Sequence, residues 1–265
     1  MIALDVNQLL LYETLRFLVA PMMRFQLRLK IDGQRNVPDA GPAIIVCNHR
    51  SSFDPVVLAY AVRNRYVNFG AASWSWTLPV YKQVHQWLGA FPLNLSGGKE
   101  ITEQLGRGLE LLKEGEIVGL FPEGGETILD PGKVERIKRF KTGFARLALE
   151  ARVPVIPVAI IGLVERRLPP VPAPVVEKVM KQPNVGKAYS SVMYRRAKCR
   201  IGVPLDFGDL YDKPVTKPLL DLISTKVRSI VVNLYNGDDL DRFMTGEVPF
   251  DFAYERVGGV TKKLL

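Results

Sequence analysis

From about residue 43 onward, short apolar runs of β type alternate with longer helical stretches, and this alternation constrains the architecture more than any other property of the chain. AIIVC (43–47) reads as a strand, DPVVLAYAVR (54–63) as a helix, YVNFGA (66–71) as a strand and the stretch from Leu78 to Leu88 as a helix. GAFPL (89–93) continues as a strand, followed by the helix ITEQLGRGLELLKEG (101–115), which stops at Gly115, and the buried strand EIVGLF (116–121). After a glycine-rich loop come the helix FKTGFARLALEAR (140–152) and the strand VPVIPVAIIG (153–162). AKCRIGVPLDFG (197–208) is a further strand, and Leu219, Leu220, Ile223, Val227, Ile230, Val231 and Leu234 recur at helical spacing in a closing amphipathic helix. Alternating β and α runs predict an α/β fold, a mixed β-sheet flanked by helices. The stretch from Leu168 to Gly186, with prolines at 169, 170, 172, 174 and 183, interrupts the pattern as an irregular excursion.

The chain has 265 residues, 47% hydrophobic and 24% charged, enough to bury a substantial core and outside the range of a disordered chain. Cys47 and Cys199 fit no paired framework and sit in apolar strand sequence, so both are expected as free buried thiols in a reducing compartment. Net charge is +9, and much of the excess is local. Between Arg166 and Arg200 stand Arg166, Arg167, Lys178, Lys181, Lys187, Arg195, Arg196, Lys198 and Arg200, against the single acid Glu177. Such a field attracts anionic partners.

Upstream, Leu9 to Met23 (LLLYETLRFLVAPMM) is the nearest approach to a membrane span, but it carries Glu13 and Arg16 and falls short of the roughly 18–20 apolar residues a span requires. It also lacks the basic start and small-residue cleavage site of a signal peptide. With Arg24, Arg28 and Lys30 close behind, it suits an amphipathic helix lying in the headgroup layer, and equally one packed on its own domain. The simplest division is an N-terminal interfacial helical arm over 1–30 and one α/β domain over 31–265.

Two polar segments stand where strands end. The first is Asn48-His49-Arg50-Ser51-Ser52-Phe53-Asp54, and the only other histidine, His85, falls on a helix without such a polar setting. Positions five apart on one helix point about 140° away from each other, so His49 must lie in the turn to meet Asp54. Asp54-Pro55 has the form of an N-cap followed by proline at the first helical position, which turns the carboxylate back toward the turn. A carboxylate there holds one imidazole nitrogen and leaves the other free to take a proton. The second segment is Phe121-Pro122-Glu123-Gly124-Gly125-Glu126-Thr127. Loops leaving the carboxyl ends of neighbouring strands share a crevice. Gly124 and Gly125 permit close backbone approach to a ligand, and Glu123 offers an acceptor to a substrate hydroxyl.

These motifs, in this order, resemble the glycerolipid acyltransferase family. His49 and Asp54 match its His-x4-Asp motif, Phe121 to Gly124 its Phe-Pro-Glu-Gly motif, and Val155-Ile156-Pro157-Val158 its apolar run centred on proline. The approach FKTGFARLALEARVPVIPVAI (140–160) is similar too, and the resemblance covers about residues 30 to 210. It implies direct attack of an acceptor hydroxyl on an acyl-CoA or acyl-carrier-protein thioester, with no acyl-enzyme, metal or cofactor. His49 is then the base and Asp54 its orienting partner, Glu123 and Gly124 help hold the acceptor, Pro157 shapes the pocket wall, and backbone amides near the His49 turn steady the oxyanion. The acceptor implied is a lysophospholipid, foremost 1-acylglycerol 3-phosphate, with glycerol 3-phosphate or another lysolipid as alternatives. The expected place is an anionic membrane surface on the cytoplasmic face, held as a peripheral or monotopic protein.

The sequence departs from the family twice. Gly89 to Leu95 has leucine where the second motif ends in arginine, and Gly125-Glu126-Thr127 stands where the third continues Thr-Arg-Ser. Both missing arginines contact the acceptor phosphate in the family, and Arg50, Lys138, Arg139 and Lys141 are the nearby replacements. An esterase or thioesterase using Ser51 or Ser52 lacks a Gly-x-Ser-x-Gly elbow. A non-catalytic basic module over 166–200 has only Tyr189 and Tyr194 interleaved, too few aromatics for a nucleic-acid platform.

Overall fold

A computed structural model of the chain describes residues 6–77, 79–93, 100–124, 137–169, 172, 174 and 192–245. Much of the Pro-rich excursion, Gly125 to Thr127, and Asn94 and Leu95 lie outside the described residues, as do Lys178, Lys181, Lys187 and Tyr189.

The elements run α1 (Val6–Pro21), β1 (Lys30–Asp32), β2 (Ala43–Cys47), α2 (Asp54–Ala61), β3 (Val67–Ala72), α3 (Pro79–Trp87), β4 (Phe91–Leu93), α4 (Glu100–Lys113) and β5 (Ile117–Leu120). They continue with α5 (Gly143–Ala151), β6 (Val155–Arg167), β7 (Val192–Ile201), α6 (Lys217–Asn236) and α7 (Leu240–Thr245). The strands form one sheet in the order β1-β7-β6-β2-β5-β3-β4. Strands β6, β2, β5, β3 and β4 are mutually parallel, whereas β7 runs against β6 and carries β1 parallel to itself at the edge. The sheet is therefore mixed and covered by helices, as the alternation predicts.

Central β2 is buried at every residue, as a strand covered on both faces must be. Its side chains alternate between two cores. Ile45 and Cys47 join Val57 and Leu58 of α2 and Tyr12 and Met23 near the N-terminus, while Ile44 and Val46 join Leu112 of α4, Phe144 and Leu147 of α5 and Ile223 to Leu234 of α6. Cys47 and Cys199 are buried and free, and burial pushes both thiols up, Cys199 to about 12, which leaves them unreactive.

Helix α1 packs on α2 through one stripe: Tyr12 is buried, its hydroxyl donates to the Ala59 carbonyl at 3.3 Å, and its ring lies 4.3 Å from that of Tyr66. Arg16 donates to the Val62 and Arg63 carbonyls beyond the end of α2. Leu10, Phe17 and Leu18 on its other side, with Phe25 beyond it, are exposed. No helix among the described residues is long and apolar enough to cross a membrane.

Several boundaries differ from expectation. β6 continues past Gly162 to Arg167, because β7 starts at Val192 rather than at Ala197 and pairs with it out to Arg167↔Val192. β7 stops at Ile201, where Gly202 and Pro204 break the ladder. The β1 edge strand, expected within neither arm nor alternating pattern, is held by its register with Lys198 to Arg200.

Candidate active site

The chain leaves β2 toward α2 on one face of the sheet and leaves β5 toward α5 on the other, so the crevice between these neighbouring strands opens at their carboxyl ends. His49 follows β2 and Glu123 follows β5, and the parallel register Val46↔Leu120 brings the two turns side by side. They are joined directly, the His49 backbone N–H donating to Glu123 Oε1 at 2.8 Å.

His49 and Asp54 meet as predicted, with Nδ1 to Oδ2 at 2.9 Å. Helix α2 begins at Asp54 itself rather than after it, so the carboxylate, instead of capping the helix's own first turn, reaches back and accepts from the backbone N–H groups of Arg50 and Ser51, each at 2.7 Å. Because Oδ2 already accepts two N–H bonds, it is an acceptor toward the imidazole too. Nδ1 therefore carries the proton, and Nε2 presents its lone pair. The imidazole is almost fully buried and stacks on Phe121, centroids 4.2 Å apart and planes 26° apart, and Phe121 stacks in turn on Phe69. Ring plane and tautomer are thus both fixed.

Asp54 is wholly buried, and its second oxygen accepts a hydrogen bond from Tyr194 of β7 at 2.7 Å. Burial pushes the Tyr194 hydroxyl well above its ordinary range, reinforced by the Asp54 carboxylate, so the tyrosine stays a neutral donor. Sequence reasoning missed this residue. The signal available was the buried alternation Val192, Tyr194 continuing into Ala197, Cys199 and Ile201, which marks Tyr194 as inward-facing strand rather than basic loop. Asn48 was also missed as a participant: its side chain bonds both the N–H and the carbonyl of Ile160, continuing the β2–β6 ladder one step further and locking the base of the turn.

The remaining candidates divide. Glu123 is buried and both of its oxygens are engaged, Oε1 with the His49 N–H and Oε2 with the Lys138 N–H at 2.8 Å. Burial pushes its carboxyl up against the opposing pull of those two donors. Its observed work is to bind three segments of backbone together. Gly124 adopts a left-handed φ of +82°, and Lys141, an exposed residue, passes directly over it: a Cβ on Gly124 would stand 3.1 Å from the Lys141 ammonium. Arg50 forms a two-pronged ion pair with Glu165 of β6, Nε to Oε1 at 2.7 Å and Nη2 to Oε2 at 2.8 Å. Arg139 is drawn to Asp221 on α6.

Pro157 is not where the expected pocket wall requires it. It alternates with Ile156 and Val158, which face the α2 side, so it faces the opposite core, against Gly202 and Leu234. Ser51 is buried and its hydroxyl donates to the Val192 carbonyl, which removes it as a nucleophile. His85 does have a polar partner, Ser75 Oγ at 2.7 Å from Nε2, contrary to the expectation of an apolar setting. Among the described residues no group of histidine, cysteine, aspartate and glutamate is arranged to hold a metal.

Comparison with known proteins bears on the family and the fold. Residues 28–161 match the acyltransferase family model. The chain is 29% identical over 160 residues to an uncharacterized protein of Mycobacterium tuberculosis, covering 55% of this chain and 41% of that one. It thus spans about two fifths of the length of that relative. It is 26% identical over 213 residues to the 1-acyl-sn-glycerol-3-phosphate acyltransferase of Bacillus subtilis, covering 76% of this chain and 87% of that one. The crystal structure of the 1-acyl-sn-glycerophosphate acyltransferase of Thermotoga maritima has the same fold, with a TM-score of 0.57 at 18% identity over 88% of this chain and 84% of that one.

Proposed function

The chain belongs to the acyltransferase family, and from that premise we propose that it moves a fatty acyl group from acyl-CoA or acyl-carrier protein to the free hydroxyl of a lysophospholipid, foremost 1-acylglycerol 3-phosphate. The observation that carries this reading is the His49–Asp54 pair at 2.9 Å, in which Nδ1 faces the carboxylate and Nε2 is the nitrogen left to take a proton. His49 Nε2 takes the acceptor's hydroxyl proton as the oxygen attacks the thioester carbonyl. Asp54 stabilises the imidazolium so formed. The tetrahedral intermediate collapses with cleavage of the carbon–sulfur bond, and the imidazolium returns its proton to the departing thiolate, leaving ester and free thiol. Glu123 sets the backbone of the His49 turn, and Lys141 above Gly124 is a cation for the acceptor phosphate, Arg50 being engaged with Glu165. A lipid acceptor places the protein at a membrane surface as a peripheral protein.

The test is a panel of acceptors, with and without phosphate, given to the purified protein with labelled acyl-CoA and read by product mass. Transfer to 1-acylglycerol 3-phosphate is expected, falling about 10²- to 10⁴-fold in His49→Ala, the range a positioned base supplies. Undiminished transfer by a folded His49→Ala protein would refute the mechanism.

A further inference from the structure

β6 leaves its pairing with β2 at Cys47↔Val158, yet it continues to Arg167 with β7 as its partner. The six residues from Gly162 to Arg167 span about 20 Å at the usual rise, so the pair continues as a two-stranded ribbon past the end of β2, alongside the turn that carries His49. Irregular register between Gly162 and Glu165 turns two consecutive apolar side chains outward, Leu163 at 48% and Val164 at 44% exposure. Met193, 50% exposed, stands opposite Arg166 in the pairing. Around them Arg166, Arg167, Arg195 and Arg196 are all exposed and have no ion-pair partner among the described residues. The ribbon's acid, Glu165, is neutralised by Arg50. Three protruding apolar side chains ringed by four unpaired guanidiniums have the chemistry of a lipid interface: apolar tips for the acyl boundary, cations for headgroup phosphates.

We infer that the β6–β7 ribbon is a surface through which the protein docks on an anionic bilayer, setting the mouth of the His49 crevice against the membrane. Three bonds make the ribbon rigid with the site: Ser51 Oγ to the Val192 carbonyl, Arg50 to Glu165, and Tyr194 to Asp54. Docking at the ribbon therefore orients the catalytic turn itself. The inference rests on the proposed function for the lipid nature of the acceptor, and the surface is measured without turnover.

The experiment sediments the full chain with vesicles of phosphatidylcholine alone or mixed with phosphatidylglycerol. Binding is expected for the anionic vesicles and is expected to weaken as salt rises from ~0.1 to ~1 M, which shortens the screening length from about 10 to about 3 Å. Each arginine near such a surface contributes about fivefold, so R166Q/R167Q/R195Q/R196Q loses vesicle affinity by about a hundredfold or more. L163S/V164S/M193S, which leaves the charge intact, loses affinity independently of the first variant. Both keep their transfer rate toward a short-chain, water-soluble acceptor and lose it toward a vesicle-embedded one. Unchanged vesicle binding in both variants overturns the proposal. So does unchanged vesicle binding with loss of transfer confined to a carrier-protein donor, which assigns the surface to an acidic protein instead. Ribbon-dependent vesicle binding by a protein that transfers no acyl group upholds the surface and overturns only the proposed function.

Discussion

Asp54→Asn separates the charge of the buried carboxylate from its shape. The native oxygen Oδ2 accepts from His49 Nδ1 and from the N–H groups of Arg50 and Ser51, and Oδ1 accepts from Tyr194. An asparagine with its carbonyl in the Oδ2 position preserves the three bonds on that side and turns its amide toward the tyrosine oxygen, so the turn remains folded. What it removes is the negative charge beside the imidazole when that ring takes the acceptor's proton. Two unit charges about 4 Å apart interact by about 4 kcal/mol at the effective dielectric suited to protein sites. At about 1.36 kcal/mol per decade, the expected loss in transfer rate is about 10³-fold. Stability falls by only about 1–2 kcal/mol, through the disturbed Tyr194 bond. The assay follows thiol release from acyl-CoA under saturating acceptor, beside a thermal melt. A folded variant working within tenfold of wild type would refute the role given to the carboxylate.

Tyr194→Phe keeps the ring buried and deletes one hydrogen bond to the charged Oδ1 of Asp54, a bond of about 1.5–3 kcal/mol, so turnover should fall about 10- to 100-fold with donor KM near the native value. A change in KM alone would argue that the tyrosine lines the donor site instead of positioning Asp54. Glu123→Gln sets an amide against one of two backbone N–H donors, those of His49 and Lys138, and should cost about 1–3 kcal/mol, seen as a fall of several degrees in Tm together with lost activity; an unchanged Tm would show that the carboxylate does not tie these segments. Burial depresses His85 to about 4, so its folded form resists a proton that the unfolded chain accepts near pH 6.5. Its contribution is present above that pH and is lost as pH falls toward 4, worth about 1 kcal/mol once partial solvent screening is discounted. Urea unfolding at pH 7 and pH 5 should show a smaller acid loss in His85→Gln than in wild type, and equal losses would contradict the burial argument.

The elements that were legible are those whose residues bury a complete face. AIIVC is β2 residue for residue, and the helical run from Leu219 to Leu234 falls wholly within α6, because each carries its own periodic signal. β1, with only Ile31 apolar among its three residues, has no period to read, and it exists because Lys198 to Arg200 offer it a sheet edge. The first half of β7 was hidden for another reason: Arg195 and Arg196 stand side by side at the register shift opposite β6 and interrupt the alternation of Val192, Tyr194 and Ala197. Helix α5 starts at Gly143 rather than at Phe140 because the Lys141 N–H is taken by the Pro122 carbonyl, a contact the local sequence cannot announce.

The same division runs through the site. His49 and Asp54 lie five residues apart, so a turn-and-helix argument was enough to join them, and the strand ends were enough to bring Glu123 alongside. Tyr194 and Glu165 come from 140 and 115 residues away, delivered by the antiparallel pair of β7 and β6. Yet they decide how the local pair behaves. Without Tyr194 one oxygen of a wholly buried carboxylate would lose its hydrogen-bond donor, and a buried charge left unpaired is strongly disfavoured. Without Glu165 the Arg50 guanidinium would lose a two-pronged ion pair beside the His49 turn. The β6–β7 pairing thus steadies the His49–Asp54 pair through Tyr194 and engages Arg50 through Glu165.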